Sequence, residues 1–416
     1  MNLPLVRIAA LTIAALAAQG SPAAAAWRPA HTVIVILENR SASQVYGNPQ
    51  WPWLNALAAR GARMTNAYFA QTPYSGLPQA GLAPHPARPS QPNYLCLFAA
   101  SDQGILPEWF RDRESPYRGI ALADAAGAPL MLPLPGVHVG IGNRLIPAAM
   151  RPFTTPNLGA AIIAGGGTYA SFLEALPFPH WDREFDPKAG SDYAVQDAGP
   201  DRYRRKHNPG INWVRLPGTA MPALGNRFVL PVATNLGFRN TRDPVDGRNY
   251  RGFAVDARGR PLGYGQLPSV SLVIPDERHD GHSGSGRAAD AWLRRHIGPY
   301  ADWATTHDSL LVITFDEDGA TDDAYGDAYR RGMERIPTVF FGPGGKVLQG
   351  DYGEPIDHLN LLATVLERYG VLEQFARDFR AAHTGAEAAA EYANLRPIGD
   401  IFGEGPPLAD APRVGP

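Results

Sequence analysis

Continuous apolar runs, each bounded by polar or turn-forming residues, divide this chain into strands and helical segments. Short runs rich in β-branched residues predict buried strands at Thr32–Leu37, Ser269–Ile274, Leu310–Phe315 and Thr338–Phe341. Apolar residues spaced three or four positions apart predict helices at Trp53–Arg60, Pro92–Ala100, Tyr169–Leu176, Ala288–Trp303 and His358–Tyr369. This alternation predicts an α/β fold with a mainly parallel central sheet and helices on both faces.

Two long segments, near residues 107–152 and 182–267, carry little periodicity and much Pro, Gly, Tyr and Trp. They predict loop-rich insertions that shape the mouth of a substrate site. The chain therefore divides into a leader at residues 1–26, one domain at 27–403 that contains both insertions, and a Pro-rich tail at 404–416.

The leader has the layout of a secretory signal peptide. Arg7 precedes the apolar segment Ile8–Ala18, and small residues continue to Ala26, near which cleavage is expected. The apolar segment is too short for a stable membrane anchor, and an uncleaved anchor is the alternative. The sequence predicts an exported protein, periplasmic or secreted, without a transmembrane anchor.

Composition fits a large folded domain. The 416 residues are 44% hydrophobic and 19% charged, which allows a sizeable core. The formal net charge of -2 gives no basic surface for a nucleic-acid partner. The single cysteine, Cys96, leaves core packing to stabilise an exported domain without an internal disulfide.

Oxygen-bearing side chains directly follow two of the predicted strands: Glu38 and Asn39 after the first, and Asp316, Glu317 and Asp318 after the third. Ligands bind beyond the carboxyl ends of parallel strands, and clustered carboxylates repel one another unless a cation lies between them. Oxygen ligands favour Mg, Ca or Mn, whereas added histidines also allow Zn or Fe. A solvated acidic turn is the alternative.

Ser90 lies two residues before Pro92, which suits the first turn of a helix. The simplest interpretation is that Ser90 caps this helix. A hydroxyl at a helix N-terminus also lies where backbone N–H groups attract anions, so it could attack a phosphate. A metal ion held by Glu38 and Asp316 would activate the hydroxyl by lowering its pKa.

Histidines follow two further strands. His279 and His282 lie with three acidic residues in the segment Pro275–His282, a pattern that favours metal ligands or phosphate donors. His358 opens the helix after the strand Thr338–Phe341, at the same edge of the sheet. Each histidine alone has a structural alternative, as a surface, hydrogen-bonded or cap-adjacent residue.

Seven short motifs occur in an order that resembles one known family: Glu38–Ser41, Pro89–Leu95, Tyr203–Pro209, His279–Gly281, Asp290–Leu293, Thr314–Glu317 and Asp357–His358. They are similar to the successive motifs of the phosphoesterase family of bacterial acid phosphatases and phospholipases C. The resemblance covers roughly Thr32 to Leu372. It implies an alkaline-phosphatase-like fold and a metal-dependent phosphoryl-transfer site, so 27–403 is expected to be a phosphoesterase domain.

The resemblance also implies roles for individual residues. Ser90 is the implied nucleophile, and the ligands of a divalent Zn, Ca, Mg, Mn or Fe ion are Glu38, Asn39, Asp316 and Glu317. Asp318 is expected to be a solvated neighbour. The resemblance implies that three histidines, His279, His282 and His358, are second-metal ligands or phosphate contacts. We assign His279 to catalysis, His282 to substrate binding and His358 to the metal. His207 is an implied catalytic oxyanion contact, and Asn93 either binds a phosphoryl oxygen or fixes the helix start.

The chain departs from the family pattern at two places. Arg88 stands where members commonly have His, and its guanidinium fork makes it a catalytic phosphate clamp. Glu277 stands where members have the Asp of an Asp-x-His motif, which leaves Asp276 or Asp280 to replace a second-metal ligand.

These features predict an exported, metal-dependent acid phosphatase that hydrolyses small phosphate monoesters through a phosphoserine on Ser90. A phospholipase C acting on phospholipids is the first alternative; its apolar contact would be the insertion Pro129–Met150, although those enzymes generally carry extra C-terminal β domains. A sulfatase is disfavoured because Tyr94 stands where the sulfatase signature has Arg. A non-catalytic exported phosphate- or metal-binding protein is the last alternative.

Overall fold

A computed structural model gives the fold of the chain. It describes residues 27–72, 85–86, 89–105, 141, 143–182, 203–217, 225–238, 241–242, 244–245, 247, 249–250, 253, 263–319, 334–383, 395–403 and 413–414. The predicted leader at 1–26, much of both predicted insertions and most of the tail lie outside these residues.

The strands of the central sheet are β1 Thr32–Leu37, β2 Ala62–Met64, β5 Tyr169–Leu173, β6 Asn235–Gly237, β9 Val270–Ile274, β10 Leu310–Phe315, β11 Thr338–Phe341, β12 Gly350–Tyr352 and β13 Arg413–Val414. Two small pairs lie outside it: β3 Gln71–Thr72 with β4 His85–Pro86, and β7 Thr241–Arg242 with β8 Asn249–Tyr250. The sheet order is β13-β12-β2-β11-β10-β1-β9-β5-β6. Five of its eight pairings are parallel, which confirms the predicted mainly parallel sheet.

The centre of the sheet fixes the position of the site. β1 lies between β9 and β10, parallel to both, and every residue of β1 and β10 is buried. Leu37 pairs with Phe315, and the amide of Asp316 donates to the carbonyl of Leu37 at 2.8 Å. The residues that follow β1 and β10 therefore leave the sheet side by side.

The α-helices span Ala42–Val45, Pro52–Ala58, Ser90–Ala99, Leu158–Ala164, Gly286–Trp292, Gly298–Ala304, His358–Arg368 and Leu372–Ala382. A π-helical turn at Leu293–Ile297 joins the two helices on either side of it, and short 3-10 turns include Arg205–His207 and Gly210–Asn212. The helix at Pro52–Ala58 packs on the 286–304 segment, whereas the helix at Ser90–Ala99 packs on those at 158–164 and 358–368. These two groups agree with the expected helices on both faces.

Two local predictions are wrong. The segment Tyr169–Leu173 is strand β5 rather than part of a helix, and it pairs in parallel with β9 and β6. All five residues are buried, and a short buried run does not distinguish a strand from a helix by its periodicity. The helix predicted from Pro92 already begins at Ser90, with Pro89 as its N-cap, so Ser90 does not cap it.

Asp290 links the first group of helices. Its two carboxylate oxygens accept hydrogen bonds from the amides of Trp53 (3.0 Å) and Leu54 (2.8 Å), at the start of the helix Pro52–Ala58. Those amides have no partner within their own helix. Asp290 therefore acts as a cap supplied by another helix, which is a structural reason for the Asp290–Leu293 motif.

Replacing Asp290 with alanine is expected to lower the free energy of unfolding by about 1–3 kcal/mol, because two amides at the start of the helix, one of them buried, lose their acceptors. Asp290→Asn, which keeps one acceptor, should cost less. Denaturant unfolding of both variants and the parent protein measures the difference. Equal stability of Asp290→Ala and the parent would contradict this role.

Candidate active site

The acidic residues predicted at the sheet edge do meet there. Glu38 follows β1 and is fully buried, and Asp316 follows β10 with 1% exposure. Asp316 Oδ1 accepts hydrogen bonds from the amides of Asn39 (2.9 Å) and Glu317 (2.6 Å). Asn39 has a φ of 42°, the left-handed region, which turns the chain sharply after Glu38. The structure thus brings together four of the five residues predicted to hold the metal: Glu38, Asn39, Asp316 and Glu317.

Ser90 faces these carboxylates. Its Oγ lies 3.2 Å from Glu38 Oε2 and 3.4 Å from Glu317 Oε1. Ser90 is also the first residue of a ten-residue helix, where backbone N–H groups point toward an incoming anion. The hydroxyl therefore lies between a carboxylate cluster and a helix N-terminus.

The donor set at this edge fits a hard cation. One polar atom of the Asn39 amide lies 3.3 Å from Glu38 Oε2 and 3.1 Å from Asp316 Oδ1. In one orientation of the amide this atom is the nitrogen, which donates to both carboxylates. In the other orientation it is the oxygen, and the resulting group of three oxygens needs a cation. Glu38 Oε1 is buried without a hydrogen-bond partner among the described residues, which is a second sign of unmet charge.

Electrostatics support the same interpretation. Burial raises the pKa of Glu38 well above its ordinary value, and the negative charges of Asp316 and Asp280 raise it further. Burial likewise raises the pKa of Asp316. Carboxylates in this position ionise readily only if a positive charge joins them, as a divalent ion would.

His207 lies on the other side of Glu38. Its Nε2 is 3.4 Å from Glu38 Oε1, and its ring stacks on Tyr94 with centroids 5.3 Å apart. Burial lowers the pKa of His207 well below its ordinary value, and the charges of Lys206 and Arg204 lower it further. The neutral ring can donate one hydrogen bond, toward Glu38 or toward a ligand beside it.

The loop after β9 brings His282 to the site. The carbonyl of Asp280 accepts from the amide of Glu38 at 2.8 Å, and Asp280 Oδ1 accepts from the amide of His282 at 2.8 Å. His282 Nε2 lies 3.5 Å from the Asn39 amide group. Burial raises the pKa of Asp280 to about 8, and nearby carboxylates contribute. His282 is half-buried beside the proposed metal ligands, a position compatible with its predicted role in substrate binding.

His279 lies with a different set of groups on the same loop. Its Nδ1 is 2.9 Å from Glu174 Oε2 and 3.4 Å from Asp276 Oδ1. The three side chains are of metal-ligating types and lie close enough to share an ion. They are already bonded to one another, and Arg278 Nε donates to Asp276 Oδ2 at 2.9 Å, so the group is satisfied as a hydrogen-bonded ion pair.

The structure does not support two of the predicted assignments. His358 is buried, with Nδ1 2.7 Å from Asn93 Oδ1 and Nε2 2.9 Å from the carbonyl of Phe315, so neither ring nitrogen faces a metal position. Asn93 is also buried, and its amide nitrogen donates to the carbonyl of Asp316. These contacts tie the helix of Ser90 to β10, which gives both residues a positioning role at the site.

Other predictions have separate outcomes. Asp318 is fully buried and accepts a hydrogen bond from the amide of Glu334 at 2.7 Å, so the prediction of a solvated neighbour is wrong. Glu277 forms a buried, bidentate pair with Arg204 and is not a member of the metal group.

Arg88, the predicted phosphate clamp, lies outside the described residues. Glu174 was not predicted, because the segment around it was misassigned as a helix.

Residues 85–372 match the sequence model of the Phosphoesterase family. The chain belongs to this family. It is 32% identical over 375 residues to the phosphatidylinositol-3-phosphatase of Mycobacterium tuberculosis, which covers 90% of this chain and 83% of the relative. Family membership makes this chain a phosphoric ester hydrolase and sets aside the non-catalytic alternative.

Solved structures also resemble this family member. An alkaline phosphatase superfamily protein from Vibrio parahaemolyticus aligns with a TM-score of 0.41 and 14% identity over 83% of this chain and 67% of that protein. The PsFucS1 sulfatase from Pseudoalteromonas sp. aligns with a TM-score of 0.42 and 10% identity over 88% of this chain and 72% of that protein. Similarity at this level carries no argument about substrate. Among the described residues, no helix is long and apolar enough to cross a membrane.

Proposed function

We propose that this phosphoesterase is an exported, metal-dependent phosphatase that hydrolyses phosphate monoesters through a phosphoserine on Ser90. The observation that carries the proposal is the position of Ser90 Oγ, 3.2 Å and 3.4 Å from two buried carboxylates at a helix N-terminus. A serine that only caps a helix would direct its hydroxyl toward backbone amides.

Glu38, Asn39, Asp316 and Glu317 are the residues proposed to hold the metal ion. Bound there, a divalent cation would lower the pKa of the Ser90 hydroxyl and neutralise charge on the phosphoryl group. The oxygen-only donor set favours a hard ion such as Mg, Ca or Mn.

The side chains then divide the work of phosphoryl transfer. Ser90 Oγ forms a bond to phosphorus as the bond to the ester oxygen breaks, and its proton passes by way of the carboxylates that it faces to that ester oxygen, so that the leaving group departs as an alcohol. Backbone N–H groups of the Ser90 helix and donors such as His282 stabilise the phosphoryl oxygens. Water then attacks the phosphoserine from the side that the alcohol has left, which releases phosphate and restores the hydroxyl.

The natural substrate has two candidates within this chemistry. A small soluble monoester is the first. A phosphatidylinositol monophosphate is the second, because a relative 32% identical is named a phosphatidylinositol-3-phosphatase. The phosphate on an inositol ring is also a monoester, so the same Ser90 step applies. Phospholipase C activity would instead require cleavage of a diester.

Chelation is expected to abolish hydrolysis of p-nitrophenyl phosphate, and one added divalent ion should restore it, because the carboxylate cluster needs a cation. The measurement compares p-nitrophenyl phosphate, a short-chain phosphatidylinositol 3-phosphate and phosphatidylcholine micelles before and after chelation, across acid and neutral pH. Full activity after exhaustive chelation would contradict the metal requirement. Faster turnover of phosphatidylcholine than of both monoesters would contradict the monoesterase proposal.

Export is part of the proposal and rests on the leader in the sequence. Expression of the full chain in a bacterial host should yield a mature protein in the periplasm or medium that begins near Trp27. Mass determination of the N-terminal peptide tests this. Recovery of the intact leader on a cytoplasmic protein would contradict it.

A further inference from the structure

We propose that Arg40 binds a second anionic group of the substrate, a phosphodiester carried by the same alcohol as the phosphate ester that Ser90 attacks. Arg40 thereby selects inositol-lipid phosphates and their soluble headgroups over monoesters that carry a single phosphate. The inference rests on the proposed function, because it names the substrate class of the same site.

The guanidinium of Arg40 lies between two loops of the site. Its Nη1 donates to the carbonyl of Asn39 at 3.4 Å, and its Nη2 donates to the carbonyl of His282 at 3.5 Å. The side chains of these same two residues face each other, with the Asn39 amide group 3.5 Å from His282 Nε2. The guanidinium therefore lies against the main chain of two residues that border the proposed metal position.

Other hydrogen bonds hold both of these residues in place. The amide of Asn39 donates to Asp316 Oδ1 at 2.9 Å, and the amide of His282 donates to Asp280 Oδ1 at 2.8 Å. Gly281, directly before His282, has a φ of 95°, which a residue with a side chain rarely adopts. The carbonyls that contact Arg40 thus belong to a fixed main chain, and the guanidinium is positioned before a ligand arrives.

Arg40 is half-buried, yet among the residues that the structure describes no carboxylate forms a salt bridge with it. Three other arginines on the loops around the site do pair with carboxylates. These pairs are Arg204 with Glu277, Arg205 with Asp182, and Arg278 with Asp276. Arg40 therefore brings a positive charge to this edge that no carboxylate in the described part of the chain neutralises by direct contact.

Most of the hydrogen-bonding capacity of Arg40 is also available. Both of its contacts are to uncharged carbonyls and are longer than the usual N–H···O distance of about 2.9 Å. The negative charge of Asp280 acts on Arg40, but Asp280 Oδ1 accepts from the amide of His282 instead. A guanidinium with free N–H groups is suited to two oxygens of one phosphate group.

The position of Arg40 favours a second anion over the phosphoryl group that reacts. The reacting group lies against Ser90 Oγ, the metal ligands and the N-terminus of the Ser90 helix, whereas Arg40 contacts the main chain beside them. A phosphatidylinositol 3-phosphate carries its monoester and its phosphodiester on one inositol ring. With the monoester at Ser90, the phosphodiester of such a substrate is the anion that Arg40 meets.

The first test is calorimetry of the metal-loaded protein with two analogues in which a CH₂ group replaces the ester oxygen, so that neither can be hydrolysed. The diester analogue is an inositol 3-phosphonate with glycerol attached through a phosphodiester at position 1. The methylated analogue differs by one methyl group, which removes the charge of the diester. The parent protein should bind the diester analogue at least about tenfold more tightly, because a hydrogen bond between charged groups is lost in the other.

Arg40→Gln should abolish this preference, and Arg40→Lys, which keeps the charge without the planar fork, should retain part of it. Arg377→Gln is the matched control, because it removes a half-exposed arginine on the helix Leu372–Ala382, and it should keep the preference of the parent. Equal affinity of the parent for both analogues would overturn the inference, whether or not Arg40→Gln folds. A preference that persists in Arg40→Gln would overturn it as well.

The second test compares kcat/KM for glycerophosphoinositol 3-phosphate with that for inositol 3-phosphate, which lacks the diester. Arg40→Gln should lower the ratio of the two values by roughly 10-fold to 100-fold, through KM, because the contact is made equally in the ground state and the transition state. An equal loss with both substrates would contradict the inference. The calorimetry needs no turnover, so a parent protein that hydrolyses no monoester would contradict the proposed function without altering the binding result.

Discussion

Ser90→Ala is expected to reduce kcat for p-nitrophenyl phosphate by about 10⁴-fold or more, because it removes the atom that bonds to phosphorus. Substrate binding should change little, since the metal ligands and the helix N-terminus remain. Ser90 is 3% exposed, and its Oγ faces two carboxylates. Steady-state kinetics with the metal-loaded variant measure the loss.

Ser101→Ala is the matched control. Ser101 is a second buried serine, just beyond the opposite end of the same helix, and its Oγ accepts a hydrogen bond from the amide of Gln103. Its loss is expected to affect stability slightly and kcat not at all. Turnover by Ser90→Ala within about tenfold of the parent protein would mean that another group is the nucleophile.

Glu38→Gln is expected to have the second largest effect. It should weaken metal binding and stabilise the metal-free protein. Metal affinity should fall by at least about 100-fold. Replacing residues that merely contact the metal ligands can already lower the affinity by about 100-fold, and Glu38 is itself a proposed ligand. Because burial and neighbouring carboxylates raise the pKa of Glu38, its ionised form destabilises the metal-free fold. The metal-free variant should therefore unfold at a higher temperature than the metal-free parent.

Calorimetric metal titration and thermal unfolding of the chelated proteins measure the two effects of Glu38→Gln. Glu373→Gln, an exposed charge removal, should alter neither. Unchanged metal affinity in Glu38→Gln would show that the cation binds elsewhere. A lower unfolding temperature of its metal-free form would show that Glu38 makes a stabilising contact, contrary to the expected charge repulsion.

The sequence predicts the centre of the fold well and its edges poorly. β1, β10 and β11 have the predicted bounds, and β9 differs by one residue, because buried central strands are continuous apolar runs. Short outer strands such as Ala62–Met64 and Gly350–Tyr352 have no such pattern. Their place depends on partners that are distant in the chain.

The same distinction applies to the site. Glu38 and Asp316 could be placed together because parallel neighbouring strands end at one edge, and the structure places them there. The role of His358 could not be predicted, since a buried histidine that bonds to Asn93 and a main-chain carbonyl has the same local sequence as a ligand. The position of Glu174 at the sheet edge could be predicted only if β5 was recognised as a strand. Its hydrogen-bond partner His279 lies 105 positions away in the sequence.

The most direct test of the central claim is rapid acid quenching of the metal-loaded enzyme during turnover of p-nitrophenyl phosphate, followed by peptide mass spectrometry. The phosphoserine mechanism predicts a phosphoryl group on the peptide that contains Ser90, at Ser90 itself, and none in Ser90→Ala or after chelation. A phosphoryl group on a different residue, or turnover with no phosphorylated peptide at any quench time, would contradict it.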